Sequence, residues 1–142
     1  MIQYPIEFKC NASTKNGINT PWTSLASQHS SALSIPPEFE GPGGALSPED
    51  LFSQALTNCF IATFKVYAEM SKLTFDEVTA ESVLIVDKNE AKQPIMKSIA
   101  IKIEIIKPSN ESRALSLAEK AAKSGFILNS VKTECLFTFQ VR

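Results

Sequence analysis

The segment from Pro48 to about Ser71 places the strongest constraint on the fold. Leu51, Phe52, Ala55, Leu56, Cys59, Phe60, Ile61, Phe64, Val66 and Tyr67 recur at helical spacing, yet they cover nearly the whole circumference and leave only a thin polar line. Its start is well marked. Ser47, Pro48 and Asp50 read as N-cap, first helical residue and capping-box acid. At ~1.5 Å per residue the helix is over ~30 Å long. A helix that is apolar all round must be covered all round, which is more than one small sheet does comfortably. A second subunit is the natural cover.

The flanking segments read mostly as strands. Residues 2–10 alternate, with Ile2, Tyr4, Ile6, Phe8 and Cys10 on one face, which predicts a half-buried strand. Asn16-Gly17 is a hairpin-turn signal, and the stretches around Trp22–Ala26 and Ser31–Ile35 extend an antiparallel meander. After the long helix, Ala80–Val86 and Ser98–Lys107 read as strands, the second placing Ile99, Ile101, Ile103 and Ile105 on one face. A second helix starts from Ser109 or Asn110 and ends near Ser124, with Gly125 as its C′ residue. Val131–Val141 is a final strand with Phe137, Phe139 and Val141 on one side. The order βββ-α-ββ-α-β describes an α+β protein, and at 142 residues it is one domain's worth, residues 1–142.

Composition narrows the function classes. Net charge is −1 and charges are mixed, so no nucleic-acid footprint is visible. The N-terminus has no basic segment followed by an apolar run, and no apolar stretch reaches ~18 residues, which argues against export and membrane insertion and predicts a cytoplasmic protein. Cys10, Cys59 and Cys135 are widely spaced, and the single histidine, His29, has no partner motif and reads as surface. No metal site and no cofactor are expected. An odd cysteine count without an export signal implies free thiols, each serving either packing or redox chemistry.

The stretch Pro36 to Phe60, PPEFEGPGGALSPEDLFSQALTNCF, runs a fixed Pro/Gly loop into the capped helix and its cysteine. This arrangement resembles the OsmC/Ohr family, the osmotically inducible and organic-hydroperoxide-resistance proteins. The likeness covers essentially the whole chain. It implies an intertwined homodimer of antiparallel sheets around long central helices. It also implies a reactive helix-borne cysteine, here Cys59, and an organising glutamate, here Glu49. Ten residues of helix separate these by roughly 15 Å, so Glu49 cannot touch Cys59 of its own chain. Two antiparallel helices crossing near Gln54 would pair Glu49 of one chain with Cys59 of the other.

Two features depart from the family's pattern. The resembling peroxidases carry an arginine before the central helix. Here the only arginines are Arg113 and Arg142, and Lys15 is the available substitute charge. They also carry a second cysteine after the late helix, where this chain has Gly125-Phe126-Ile127. Cys135 and Cys10 are the remaining thiols able to resolve an oxidised Cys59. Phe126, with Phe60 and Trp22, would line an apolar pocket beside the thiol.

Two functions follow. One is a single-cysteine peroxidase acting on organic hydroperoxides, reduced by an external thiol or redox protein. The other is a non-catalytic dimer that binds an apolar small molecule.

Overall fold

Ser47 and Asp50 close a reciprocal capping box. The Asp50 N–H donates to Ser47 Oγ at 3.0 Å and the Ser47 N–H donates to Asp50 Oδ2 at 2.9 Å. This satisfies two of the orphan donors at the start of helix α1 (Pro48–Met70). Around that helix the computed structural model, which describes residues 1–142, sets β1 (Cys10–Ser13), β2 (Trp22–Ala26) and β3 (His29–Leu33) before it. After it come β4 (Glu77–Lys88), β5 (Pro94–Ile106), α2 (Glu111–Ser124) and β6 (Glu134–Val141). The chain divides into two compact units, Met1–Leu51 and Phe52–Arg142.

The first unit is a three-stranded antiparallel meander, β1-β2-β3. Its tight hairpin lies at Ser27-Gln28, where φ is 52° and 64°, and Ala26 pairs with His29. Asn16-Gly17 does turn the chain, with the Thr20 N–H donating to the Gly17 carbonyl at 3.1 Å, but inside a longer connection, residues 14–21. The strand expected over residues 2–10 is corrected: only Cys10 of it is in a strand, and Ile2, Tyr4 and Phe8 are exposed. Pro5 interrupts the alternation without an N–H to donate. Moreover, β2 ends at Ala26, opposite Cys10, so nothing in the sheet remains for earlier residues to pair with. The Pro/Gly loop then folds back through a 3-10 turn at Pro37–Phe39. A side chain at Gly41 would run into the Ile35 carbonyl, so only glycine fits there.

The second unit is a three-stranded sheet ordered β4-β5-β6, with two helices. β4 and β5 pair antiparallel along their length, whereas β6 runs parallel to β5 because α2 forms the crossover between them. The isoleucine ladder of β5 behaves as its alternation dictates: Ile99, Ile101, Ile103 and Ile105 are fully buried. Leu56, Phe60 and Phe64 of α1 are buried in the same cluster. Phe60 stacks on Phe64 at 5.8 Å between ring centroids and meets Phe137 at 5.6 Å and Phe139 at 6.2 Å. Helix α2 is capped by Asn110, whose Oδ1 accepts from the Arg113 N–H at 3.0 Å. It contributes the small residues Ala114, Ala118 and Ala121, which let it pack closely. One stripe of α1 stays uncovered in the single chain: Ala62, Val66 and Met70 are exposed. No helix is long and apolar enough to cross a membrane.

Truncating Phe60 removes an aromatic ring from the centre of this cluster. Phe60→Ala is expected to cost about 3–5 kcal/mol in denaturant unfolding. A loss below about 1 kcal/mol would show that this row does not hold the second unit together.

Candidate active site

Cys59 follows from the packing of its neighbour. With Phe60 fixed on the sheet, the preceding residue is turned about 100° around the helix, toward the end of α2. There Cys59, 9% exposed, borders a cavity of about 370 Å³ lined by Ala62, Thr63, Val66 and Tyr67 of α1 and by Ser124, Phe126 and Ile127. Cys59, Thr63 and Tyr67 follow one another at i, i+4 and i+8, so the cavity runs along about 12 Å of helix. Its volume lies within the range of small-molecule sites.

The walls are apolar and the hydroxyl protons are already committed. Thr63 Oγ1 donates to the Cys59 carbonyl at 2.8 Å. Ser124 Oγ donates to the Lys120 carbonyl at 2.8 Å, which leaves it to accept from the Tyr67 hydroxyl at 2.6 Å. The Lys120 ammonium lies 4.5 Å from the centroid of the Tyr67 ring. A ligand therefore meets hydrocarbon, ring faces and oxygen lone pairs, with the thiol at one end. Within the second unit no hydrogen-bond donor reaches the Cys59 sulfur. Gly125 closes the other side of that sulfur. Its φ is −60°, open to any residue, so conformation is not why glycine stands at the end of α2. Gly125, expected as the C′ residue, is instead the C-cap, in extended backbone, with its N–H on the Ala121 carbonyl. A Cβ built there would lie 2.7 Å from Cys59 Sγ and 3.0 Å from Leu128 Cδ1.

The other expected residues are distributed as follows. Phe126 shares the cavity with Cys59 and is 77% exposed at its edge. Phe60 does not line it, being wholly enclosed in the aromatic core. Trp22 and Lys15 border a different recess, an open groove of about 690 Å³ formed within the first unit by residues 12–18, Thr20, Trp22 and Ile35. That groove is larger, but no cysteine lines it, so the smaller cavity, which holds the Cys59 thiol, is the site of interest. Glu49 lies in the first turn of α1. Cys10 is exposed on β1, its sulfur 3.5 Å from Ser24 Oγ. His29 is exposed at the start of β3, its Nδ1 2.8 Å from the Ser27 carbonyl. No group of three or more His, Cys, Asp or Glu side chains is placed to hold a metal.

Cys135, the second residue of β6, is half-buried against the same core cluster as Cys59. Its sulfur donates to the Thr133 carbonyl at 3.4 Å. Burial pushes its thiol pKa up, and the charge of an ionised Cys59 pushes it further in the same direction. All three thiols are free.

Comparison with known proteins agrees with this fold. The family model for OsmC-like protein matches residues 41–140. The chain belongs to the OsmC family. An OsmC-like protein of Vibrio cholerae superposes with a TM-score of 0.85 over 95% of this chain and 99% of its own, at 18% identity. An organic hydroperoxide resistance protein, OsmC, of Legionella pneumophila gives 0.71 over 98% of both chains at 20% identity. One from Elizabethkingia anophelis, with thiocyanate bound, gives 0.75 over 99% and 98% at 16% identity. In sequence, the protein YmaD of Bacillus subtilis (strain 168) is 28% identical over 92 residues, which span 65% of this chain and 61% of YmaD.

The Cys135 thiol generates a pH prediction. A thiol whose folded pKa is raised keeps its proton where the unfolded chain has lost it. Its stabilising contribution is complete below the unfolded pKa, about 8.5, and is lost as pH rises through the folded value. Unfolding free energy should therefore decline above about pH 8.5, and Cys135→Ala should flatten that decline. An unchanged alkaline slope in the variant would place the titrating group elsewhere.

Proposed function

We propose that this OsmC-family chain reduces organic hydroperoxides with Cys59 as nucleophile. The observation that carries the reading is a cysteine thiol bordering an apolar cavity of small-molecule size. The Cys59 thiolate attacks the terminal oxygen of R–O–O–H and the O–O bond breaks. The sulfur becomes a sulfenic acid, and the departing alkoxide takes up a proton to leave as ROH. A thiol then condenses with the sulfenic acid, releasing water and forming a disulfide, and a second thiol reduces it. By the family resemblance Phe126 takes the position of the second cysteine, so in this proposal the first thiol comes from an external small molecule or redox protein, with Cys135 the inner candidate. The cytoplasm, where thiols are kept reduced, suits such a cycle.

The working form in this proposal is a homodimer. The exposed apolar stripe Ala62, Val66 and Met70 supports it, since a helix of this composition is ordinarily covered. In an antiparallel pair of α1 helices, Glu49 of the partner subunit comes beside Cys59, and Lys15 is the candidate positive charge for the pair. A second reading is favoured by the absence of any donor at the sulfur within the second unit: the same cavity holding an apolar molecule without turnover.

Steady-state consumption of cumene hydroperoxide with dithiothreitol separates the two. Cys59→Ser should abolish turnover, and Phe126→Ala should raise KM for this aromatic substrate about tenfold, the loss of a ring contact worth about 1.4 kcal/mol. Turnover that survives Cys59→Ser would remove Cys59 from the mechanism. Binding of cumyl alcohol without any Cys59-dependent turnover would favour the binding module. Sedimentation should give twice the 15.6 kDa chain mass.

A further inference from the structure

Gly125 is the least expected residue near the thiol. Its backbone is held at both ends. The Gly125 N–H donates to the Ala121 carbonyl at 3.2 Å, and its own carbonyl accepts from the Asn129 N–H at 2.9 Å. Three side-chain atoms crowd the place where a Cβ would stand: Cys59 Sγ at 2.7 Å, Leu128 Cδ1 at 3.0 Å and Thr63 Oγ1 at 3.4 Å. The sulfur therefore lies directly against main chain, in a space that any larger residue would take from it.

We propose that Gly125 is a positioning residue for Cys59, leaving room for the sulfur in the orientation from which it can react into the cavity. The inference rests on the reading of Cys59 as the nucleophile, and it concerns how the protein holds that thiol. A methyl group at position 125 forces something to move, and the available motions differ in cost. The main chain at 125 carries two hydrogen bonds and Leu128 is 7% exposed in the core. Thr63 Oγ1 is tied to the Cys59 carbonyl at 2.8 Å. Cys59 Sγ hangs on one torsion and makes no hydrogen bond, so rotation about χ1 to another staggered well is the cheapest response. Helices exclude one of the three wells for most residues, which leaves the displaced sulfur a single alternative. That alternative turns it away from the place it now occupies between Gly125 and the cavity.

The direction of the effect discriminates this role from a structural one. If glycine merely eases packing at the end of α2, alanine loosens that end and the buried thiol becomes easier to reach. If glycine positions the sulfur, alanine makes the thiol harder to reach while the fold persists. The test is the second-order rate of Cys59 alkylation by iodoacetamide in the native full-length protein, read by peptide mass spectrometry, in wild type and Gly125→Ala. A fall of tenfold or more in Gly125→Ala is expected, with hydroperoxide consumption falling through kcat more than KM. An unchanged or faster alkylation overturns the proposal.

Unfolding midpoints of Cys59→Ala, Gly125→Ala and the double variant provide a second readout. Removing the sulfur should make alanine at 125 cheaper, so the double variant should be more stable than the two single losses added together. Additive losses overturn the contact; where Gly125→Ala alone fails to fold, a double variant that folds supports the contact and one that also fails to fold overturns it. Alkylation does not depend on peroxide chemistry. A wild type that alkylates but never consumes hydroperoxide, with slowed alkylation in Gly125→Ala, would sink the peroxidase reading and keep the positioning role.

Discussion

The seating of the Leu56, Phe60 and Phe64 row of α1 in one core with the isoleucine ladder of β5 and the phenylalanines of β6 governs the second unit. These residues are fully or largely enclosed, and the aromatic contacts leave the helix one rotation about its own axis. Once Phe60 is committed to the sheet, Cys59 has to face the end of α2, and Thr63 and Tyr67 follow it along the same stripe. The site is thus a consequence of core packing. Substitutions that relax the aromatic row should disturb the thiol without touching it.

Around the thiol the chain uses polar groups sparingly. Thr63, Tyr67 and Ser124 supply hydroxyls whose protons are all directed into the protein's own acceptors. Such a cavity gives little advantage to a small hydrophilic peroxide and more to a molecule with hydrocarbon to bury, at about 25 cal/mol per Å² of apolar surface removed from water. Activation of the thiol calls for positive charge or donors. Within the second unit none touches the sulfur, and the proposed dimer is what would bring Glu49 and Lys15 to it.

The element order was legible because its signals are local. The Ser47–Asp50 box, the Asn110 cap and the isoleucine alternation each depend on a few adjacent residues, and each is found where the pattern places it. The strand over residues 2–10 failed because alternation says nothing about a partner, and β2 stops at Ala26. The parallel course of β6 follows from the α2 crossover, which periodicity alone does not reveal. Cys59 and Phe126, singled out from their motif context, border one cavity. Phe60 and Trp22 were assigned to the pocket by apolar character, which cannot separate a core ring such as Phe60, or the wall of another recess such as Trp22, from the wall of this cavity. Gly125 was read by the common rule for helix ends, whereas its role depends on a sulfur 66 residues earlier in the chain.

The most direct test of the account is the intact mass of the protein after a few seconds with cumene hydroperoxide, with Cys59→Ser alongside. Rapid addition of one oxygen, trapped by a sulfenic-acid reagent at Cys59, or a disulfide from Cys59 to Cys135, is expected, with neither in the variant. A Cys59 left unmodified at peroxide concentrations that oxidise ordinary exposed thiols would contradict it, and would mark a chain that keeps the family's fold without its reaction.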